Sequence, residues 1–313
     1  MKAVFKRPKT IFPELIELPI PSLKPDEVLV KVYYAGICKT DLKVGRGELP
    51  TRSGGVILGH EFSGEVIKFG TRCREISQTH MSILDIKVGD FVVANPMLDS
   101  SSDAMLGKDL NGCFAEYIAV PIKQLVKVDY YDPKSMMKEL AYCEPVAAAQ
   151  GVVSRIPAHI YDLIIAGNPE DRIAKLVSEC LLQEGVDEVK IIPPEKLLID
   201  DDLGKPKHKC IVECCPEFAG KLVKCLDNGG TLILKSRGYV ALDTIVNDIV
   251  MKQLNIVGAK YSSFYEAIGW IYENLKLVDT MISKKTYKLD DFGKAFAEAS
   301  KANAKKVMFK CVQ

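Results

Sequence analysis

A chain of 313 residues, 48% hydrophobic and 27% charged, has material for two domains, each with its own core. Its 42 Lys+Arg and 41 Asp+Glu leave a formal net charge of +1, so nucleic acid and an anionic membrane surface are not expected partners. No apolar run reaches membrane-spanning length and the start, MKAVFKRPKT, lacks a signal-peptide core, so a cytoplasmic protein is expected.

The ten cysteines are scattered from Cys38 to Cys311, and without a secretion signal they read as reduced, most of them small buried hydrophobes. The amino-terminal part reads as β-rich. Alternating segments such as Glu27–Val32 and Gly64–Phe69, and the turn Gly89-Asp90 ahead of Phe91-Val92-Val93, are strand and turn signals. From about Ala141 the pattern changes. Ala147, Ala148 and Ala149 suit a helix, and Asp162–Gly167 reads as a buried parallel strand followed by a helix from Arg172 to Glu184. Further strands are expected at Val189–Ile192, Cys210–Glu213, Gly230–Leu234 and Leu254–Gly258, with a helix between the second and third of these. A short helix, Asp290–Lys301, and a strand, Lys306–Lys310, close the chain.

Two clusters carry the chemistry: Gly36-Ile37-Cys38-Lys39-Thr40-Asp41 and Gly59-His60-Glu61-Phe62-Ser63-Gly64-Glu65-Val66. A thiolate and an imidazole are good zinc ligands, and a catalytic zinc keeps three protein ligands with one position open. Taken singly, each has an ordinary reading, a core thiol and a satisfied structural histidine. Together and in this order they resemble the signature of the medium-chain zinc-dependent alcohol and polyol dehydrogenases, G-I-C-x-[ST]-D followed by G-H-E-x-x-G-x-V. Gly112–Tyr117, Leu226–Thr231, Met281-Ile282-Ser283 and Lys305-Lys306-Val307 match other parts of that family's pattern, so the resemblance runs over nearly the whole chain.

The resemblance implies an α/β fold: a GroES-like, β-rich catalytic domain (residues 1–150 and 279–313) and a truncated Rossmann-like doubly wound parallel sheet (residues 151–278). It implies one zinc ion with Cys38 and His60 as ligands. In the polyol and sugar branch a glutamate followed by proline supplies the third, which points to Glu144 of Tyr142-Cys143-Glu144-Pro145, directly or through water. Cys143 is the competing thiolate; neighbours on a strand face opposite ways, so one of the two reaches the metal. Glu61 is expected next to the metal as a transient ligand. Asp41 can accept the free ring N–H of His60. Thr40 can pass the alcohol proton toward solvent, and zinc would act as a Lewis acid on the substrate oxygen. Lys39 stands where relatives place a cation against the cofactor's pyrophosphate, and reads equally as an exposed lysine. The stretch Asn95–Asn111 has no cysteine for a second, structural zinc, and Ser100–Asp103 reads as a surface loop. Pairing through Leu254–Gly258 implies a homodimer or homotetramer.

The implied activity is oxidation of a polyol, sugar or secondary alcohol, or reduction of the matching carbonyl, with NAD or NADP. The nucleotide loop departs from the pattern this requires. In place of G-x-G-x-x-G the chain has Gly167-Asn168-Pro169-Glu170-Asp171-Arg172, where proline removes an N–H donor and two acids sit near a diphosphate's place. Arg172 offsets part of that charge, and Lys205, Lys207 and Lys209 offer more. Glu195, behind Pro193-Pro194, is the one acid placed to meet a ribose. Too few residues separate it from Cys210 for the usual helix, strand and helix. A second reading therefore stands beside the first: a zinc-dependent lyase or isomerase, or a binding module, that has lost the dinucleotide. Cys210, Cys214 and Cys215 read as buried structural thiols, with a vicinal redox pair as the alternative.

Overall fold

Alternating apolar residues build the long strands of the first part of the chain, and the computed structural model describes residues 1–79, 85–98, 103–158, 160, 162–199, 208–236 and 245–312. His80, His159, Ser100–Ser102, Lys205 and Lys207 lie outside the described residues. In chain order the first elements are β1 (Lys2–Lys6), β2 (Glu14–Glu17), β3 (Glu27–Gly36), α1 (Lys39–Gly45), β4 (Val56–Ile57), β5 (Glu61–Phe69), α2 (Cys73–Thr79), β6 (Phe91–Ala94), β7 (Tyr117–Pro121), β8 (Leu125–Lys127) and α3 (Met137–Leu140). Then come α4 (Cys143–Val153), β9 (Leu163–Ala166), α5 (Arg172–Gln183), β10 (Lys190–Ile192), α6 (Pro194–Ile199), β11 (His208–Glu213), α7 (Ala219–Leu222), β12 (Leu226–Leu234), α8 (Val246–Lys252) and β13 (Asn255–Gly258). The chain finishes with α9 (Phe264–Glu273), α10 (Leu275–Met281), β14 (Ile282–Tyr287), α11 (Phe292–Ala299) and β15 (Lys306–Lys310).

These elements form two units, Met1–Glu144 with Phe264–Gln313, and Pro145–Ser263. The boundaries expected at 150/151 and 278/279 lie further along the chain than these divisions; α9 packs on α3 and so belongs to the first unit.

In the first unit β3 is the central strand, pairing antiparallel with β5, β7 and β15 within the order β14-β15-β3-β5-β6-β8. Its residues Val28, Val30 and Val32 are fully buried and share a core with Phe62, Phe114 and Phe309. The rings of Phe114 and Phe309 meet edge to face, with centroids 4.9 Å apart. The loops at one end of β3 and β5 carry both chemical clusters, so the core holds them in register.

The second unit is a five-stranded parallel sheet in the order β10-β9-β11-β12-β13. Leu163–Ala166 of β9 are all buried, as an apolar run covered on both faces requires. In α5 the buried residues Ala174, Leu176, Val177, Cys180 and Leu181 recur at helical spacing, forming one stripe against the sheet. The strand order reverses between β9 and β11, the kind of switch point at which open α/β sheets hold ligands.

Two local expectations differ from the structure. The helix expected between Cys210–Glu213 and Gly230–Leu234 is broken: α7 spans four residues, with 3-10 turns at Pro216–Phe218 and Val223–Cys225 on either side. Cys143 and Glu144 lie in the first turn of α4 and not on a strand, so the alternation rule does not apply to them. Pro145 is tolerated there because the first helical N–H groups have no intrahelical acceptor.

Candidate metal centre

Cys38 follows β3 and stands as the N-cap of α1; His60 and Glu61 lie at the start of β5, and Gly36 pairs with Glu61 across the two strands. This pairing brings two distant sequence clusters together. Among the described residues one group can hold a metal ion: ligand atoms of Cys38, His60 and Glu61 all lie within 4.8 Å of one another. His60 and Glu61 are buried, while Cys38 is half-buried.

Asp41, 1% exposed, ties the group together. Its Oδ2 accepts from the Cys38 N–H at 2.8 Å, and its Oδ1 accepts from the Gly59 N–H at 3.2 Å. Oδ1 also lies 3.1 Å from His60 Nδ1; a carboxylate oxygen can only accept, so Nδ1 carries the proton and Nε2 is left for a metal. Burial alone would lower the His60 pKa, but the neighbouring Asp41 carboxylate, with Cys38, outweighs it and raises it well above the ordinary imidazole range. Gly59 has φ +94°, and a side chain there would collide with Phe114, so glycine is required at the residue that presents His60.

Glu61 is held from the other side. Lys306 Nζ, on β15, donates to Glu61 Oε1 at 2.7 Å and Oε2 at 2.6 Å, and both side chains are 5% exposed or less. The same ammonium lies 5.6 Å from the centroid of the Tyr142 ring. A Cβ on Gly36 would strike Glu61 Oε2, so the glycine makes room for the carboxylate. Lys306 is the residue that sequence reasoning matched to a pattern without a role. Two lysines precede Val307, and nothing in the sequence marks the second as the buried one.

The remaining expected residues are placed as follows. Glu144 is buried in the first turn of α4, in the same unit, outside the group of three whose ligand atoms lie within 4.8 Å. Cys143 donates to the Phe264 carbonyl at 3.6 Å, and burial, with the adjacent Glu144, raises its thiol pKa. A protonated thiol turned to α9 is a poor metal ligand. Thr40 is half-buried and Lys39 exposed in the first turn of α1. In the second unit Gly167 is buried at the end of β9, Arg172 opens α5 and Glu195 is exposed on α6. Lys209 pairs with Asp227 at 2.5 Å.

The donor set fits zinc: one thiolate, one imidazole and carboxylates, with the imidazole oriented by a second carboxylate. The fit to a dinucleotide is divided. The sheet has the switch point, while the loop after β9 is closed upon itself by hydrogen bonds of Asn168 and Asp171.

Residues 24–130 match the family model described as the alcohol dehydrogenase GroES-like domain. The chain is 24% identical to the D-arabitol-phosphate dehydrogenase of Enterococcus avium, over 94% of its own length and 92% of the relative's. It is 24% identical to the L-threonine 3-dehydrogenase of Bacillus licheniformis, over 98% of both chains. Among solved structures, the glucose dehydrogenase of Haloferax mediterranei, in complex with NADP, Zn and gluconolactone, superposes with a TM-score of 0.73 at 18% identity, over 100% of both chains. Residues 24–130 are thus those of an alcohol dehydrogenase GroES-like domain, and the chain is similar over almost its whole length to proteins named as dehydrogenases, with the fold of the Haloferax enzyme.

Proposed function

We propose that the protein is a zinc-dependent oxidoreductase that interconverts a polyol, sugar or secondary alcohol and its carbonyl form with NAD(H) or NADP(H). The observation that carries this reading is the grouping of Cys38, His60 and Glu61 around the buried Asp41 carboxylate. The likeness over almost the whole chain to relatives named as dehydrogenases favours it over a non-redox enzyme or a binding module. Cys38 and His60 are the proposed fixed ligands. Both Glu61 oxygens are engaged by Lys306, which makes Glu61 an intermittent ligand and leaves Glu144 to supply the third, directly or through water.

When bound, zinc supplies Lewis acidity toward the substrate oxygen, and the dinucleotide supplies the hydride acceptor. The chain's own residues do the rest. Asp41 fixes the His60 tautomer and so the direction of Nε2. Lys306 holds both Glu61 oxygens in place where the two side chains are buried together. Thr40, one residue before Asp41 and half-buried, is the proposed first carrier of the alcohol proton. Ten free cysteines without a disulfide fit a reducing, cytoplasmic compartment. A homodimer or homotetramer is proposed through the outer edge of β13; α8, which precedes it in the chain, exposes Val246, Val250 and Met251.

The test has two arms. Metal analysis of the purified protein is expected to find about one zinc per chain, lost on Cys38→Ser. Nicotinamide absorbance is expected to change with at least one member of a panel of polyols, aldoses, threonine and secondary diols. A metal-free native protein, or silence toward the whole panel with a zinc-loaded one, rejects the reading.

A further inference from the structure

The loop from β9 to α5 has no backbone donor to spare at the positions where a sheet of this kind cradles a diphosphate. Gly167 N–H donates to Ile192 O at 3.0 Å, and the Asn168 backbone hydrogen-bonds the Cys215 thiol. Pro169 has no N–H. Glu170 N–H donates to Asn168 Oδ1 and Asp171 N–H to Asn168 O, each at 2.8 Å. The helix then begins, and Asp171, its N-cap with φ −71° and ψ 128°, accepts from Ile173 N–H at 2.9 Å. A carboxylate already sits where the positive end of α5 would receive phosphate.

Two further carboxylates lie close by in the fold or the sequence, with Arg172 and Lys175 beside them. Glu170 precedes the cap, with Lys175 at 2.8 Å, and both of these side chains are exposed. On the neighbouring strand Glu213 ends β11, fully buried, and its Oε1 has no hydrogen-bond partner among the described residues. Gly167 is in tight quarters with that strand: a Cβ there would lie 3.2 Å from the Cys214 Cβ.

We infer that the Asp171 carboxylate stands in for the cofactor's pyrophosphate at α5, and that it sets a low affinity of this unit for NAD(H) and NADP(H). The inference rests on the nicotinamide reading above and makes Asp171 a determinant of cofactor affinity. A dinucleotide entering the switch point gains little from its diphosphate, because the main-chain donors of residues 167–171 are spent and the Asp171 carboxylate, whose charge Arg172 offsets only in part, repels it.

Calorimetric titration of the zinc-loaded full-length protein with NADH and NADPH tests this, comparing wild type with Asp171→Ser and Asp171→Asn. Both replacements keep an oxygen to cap Ile173 N–H, so α5 remains closed while the charge is gone. Both variants are expected to bind both dinucleotides about tenfold or more tightly than wild type, a change of about 1.4 kcal/mol. Adenosine, which has no phosphate, is expected to bind all three proteins alike. Wild-type binding as tight as that of the variants overturns the inference and leaves the oxidoreductase reading standing. Absence of binding in all three proteins overturns both. An equal gain for adenosine also overturns the inference, since the effect would then not act on phosphate.

Discussion

Asp41 and Lys306 act on the metal centre from opposite sides, and they differ in what their loss would do. Asp41 receives three donors, two of them the main-chain N–H groups of Cys38 and Gly59, one from each ligand cluster, so it holds the two clusters together even before a metal arrives. Lys306 does something narrower: it neutralises one buried carboxylate. Removing one partner of a buried ion pair leaves an uncompensated charge. Lys306→Met is therefore expected to lose about 3–5 kcal/mol of stability in denaturant titrations. Adding Glu61→Gln to it is expected to recover most of that loss, since both charges are then gone. If the double variant is as unstable as the single one, the ammonium's place over the Tyr142 ring matters more than its pairing with Glu61.

At the scale of elements, β11 ends in a conflict that its neighbours only half resolve. Glu213 Oε2 accepts from Ser236 N–H at 3.1 Å, and burial pushes its pKa above the ordinary glutamate range. A carboxyl whose folded pKa is raised contributes stability below its unfolded pKa, and that contribution is lost as pH rises through the folded value. Glu213→Gln is therefore expected to raise the melting temperature at neutral pH, with no gain at a pH below the ordinary glutamate range; thermal melts across that span check it. How legible such features are in sequence depends on their range. The strands β9, β11 and β13 could be read because apolar runs bounded by Gly, Asp and Glu are local signals. The pairing of the Cys38 and His60 clusters could be read because the motif is specific in order and spacing. The Glu61–Lys306 bridge spans 245 positions and leaves no periodic trace. The helical setting of Glu144 was not legible because strand alternation was applied to Cys143 and Glu144, when a proline just after them also suits the first turn of a helix.

For the whole molecule, the division into two units with separate cores means that a metal held by Cys38 and His60 would support one of them directly. Chelation is expected to speed backbone hydrogen exchange in β3 and β5 and to leave β9, β11 and β12 at their former rates, as followed by mass spectrometry. Uniform acceleration across all five strands would mean that the chain opens as a single cooperative body.

The sheet of the second unit also has an exposed flank to manage. Among the described strands β10 is the outermost on one side, where the sequence is too short for the wall that longer sheets have there. A bare strand edge is a template for another chain. Here it is kept to three residues, begins with the exposed Lys190 and runs straight into Pro193-Pro194, which offer no N–H to a would-be neighbour. The same two prolines that stand before Glu195 thus act as a stop against strand-by-strand growth. With a net charge of only +1 to keep copies apart, protection of this edge falls to those prolines and to the shortness of the strand.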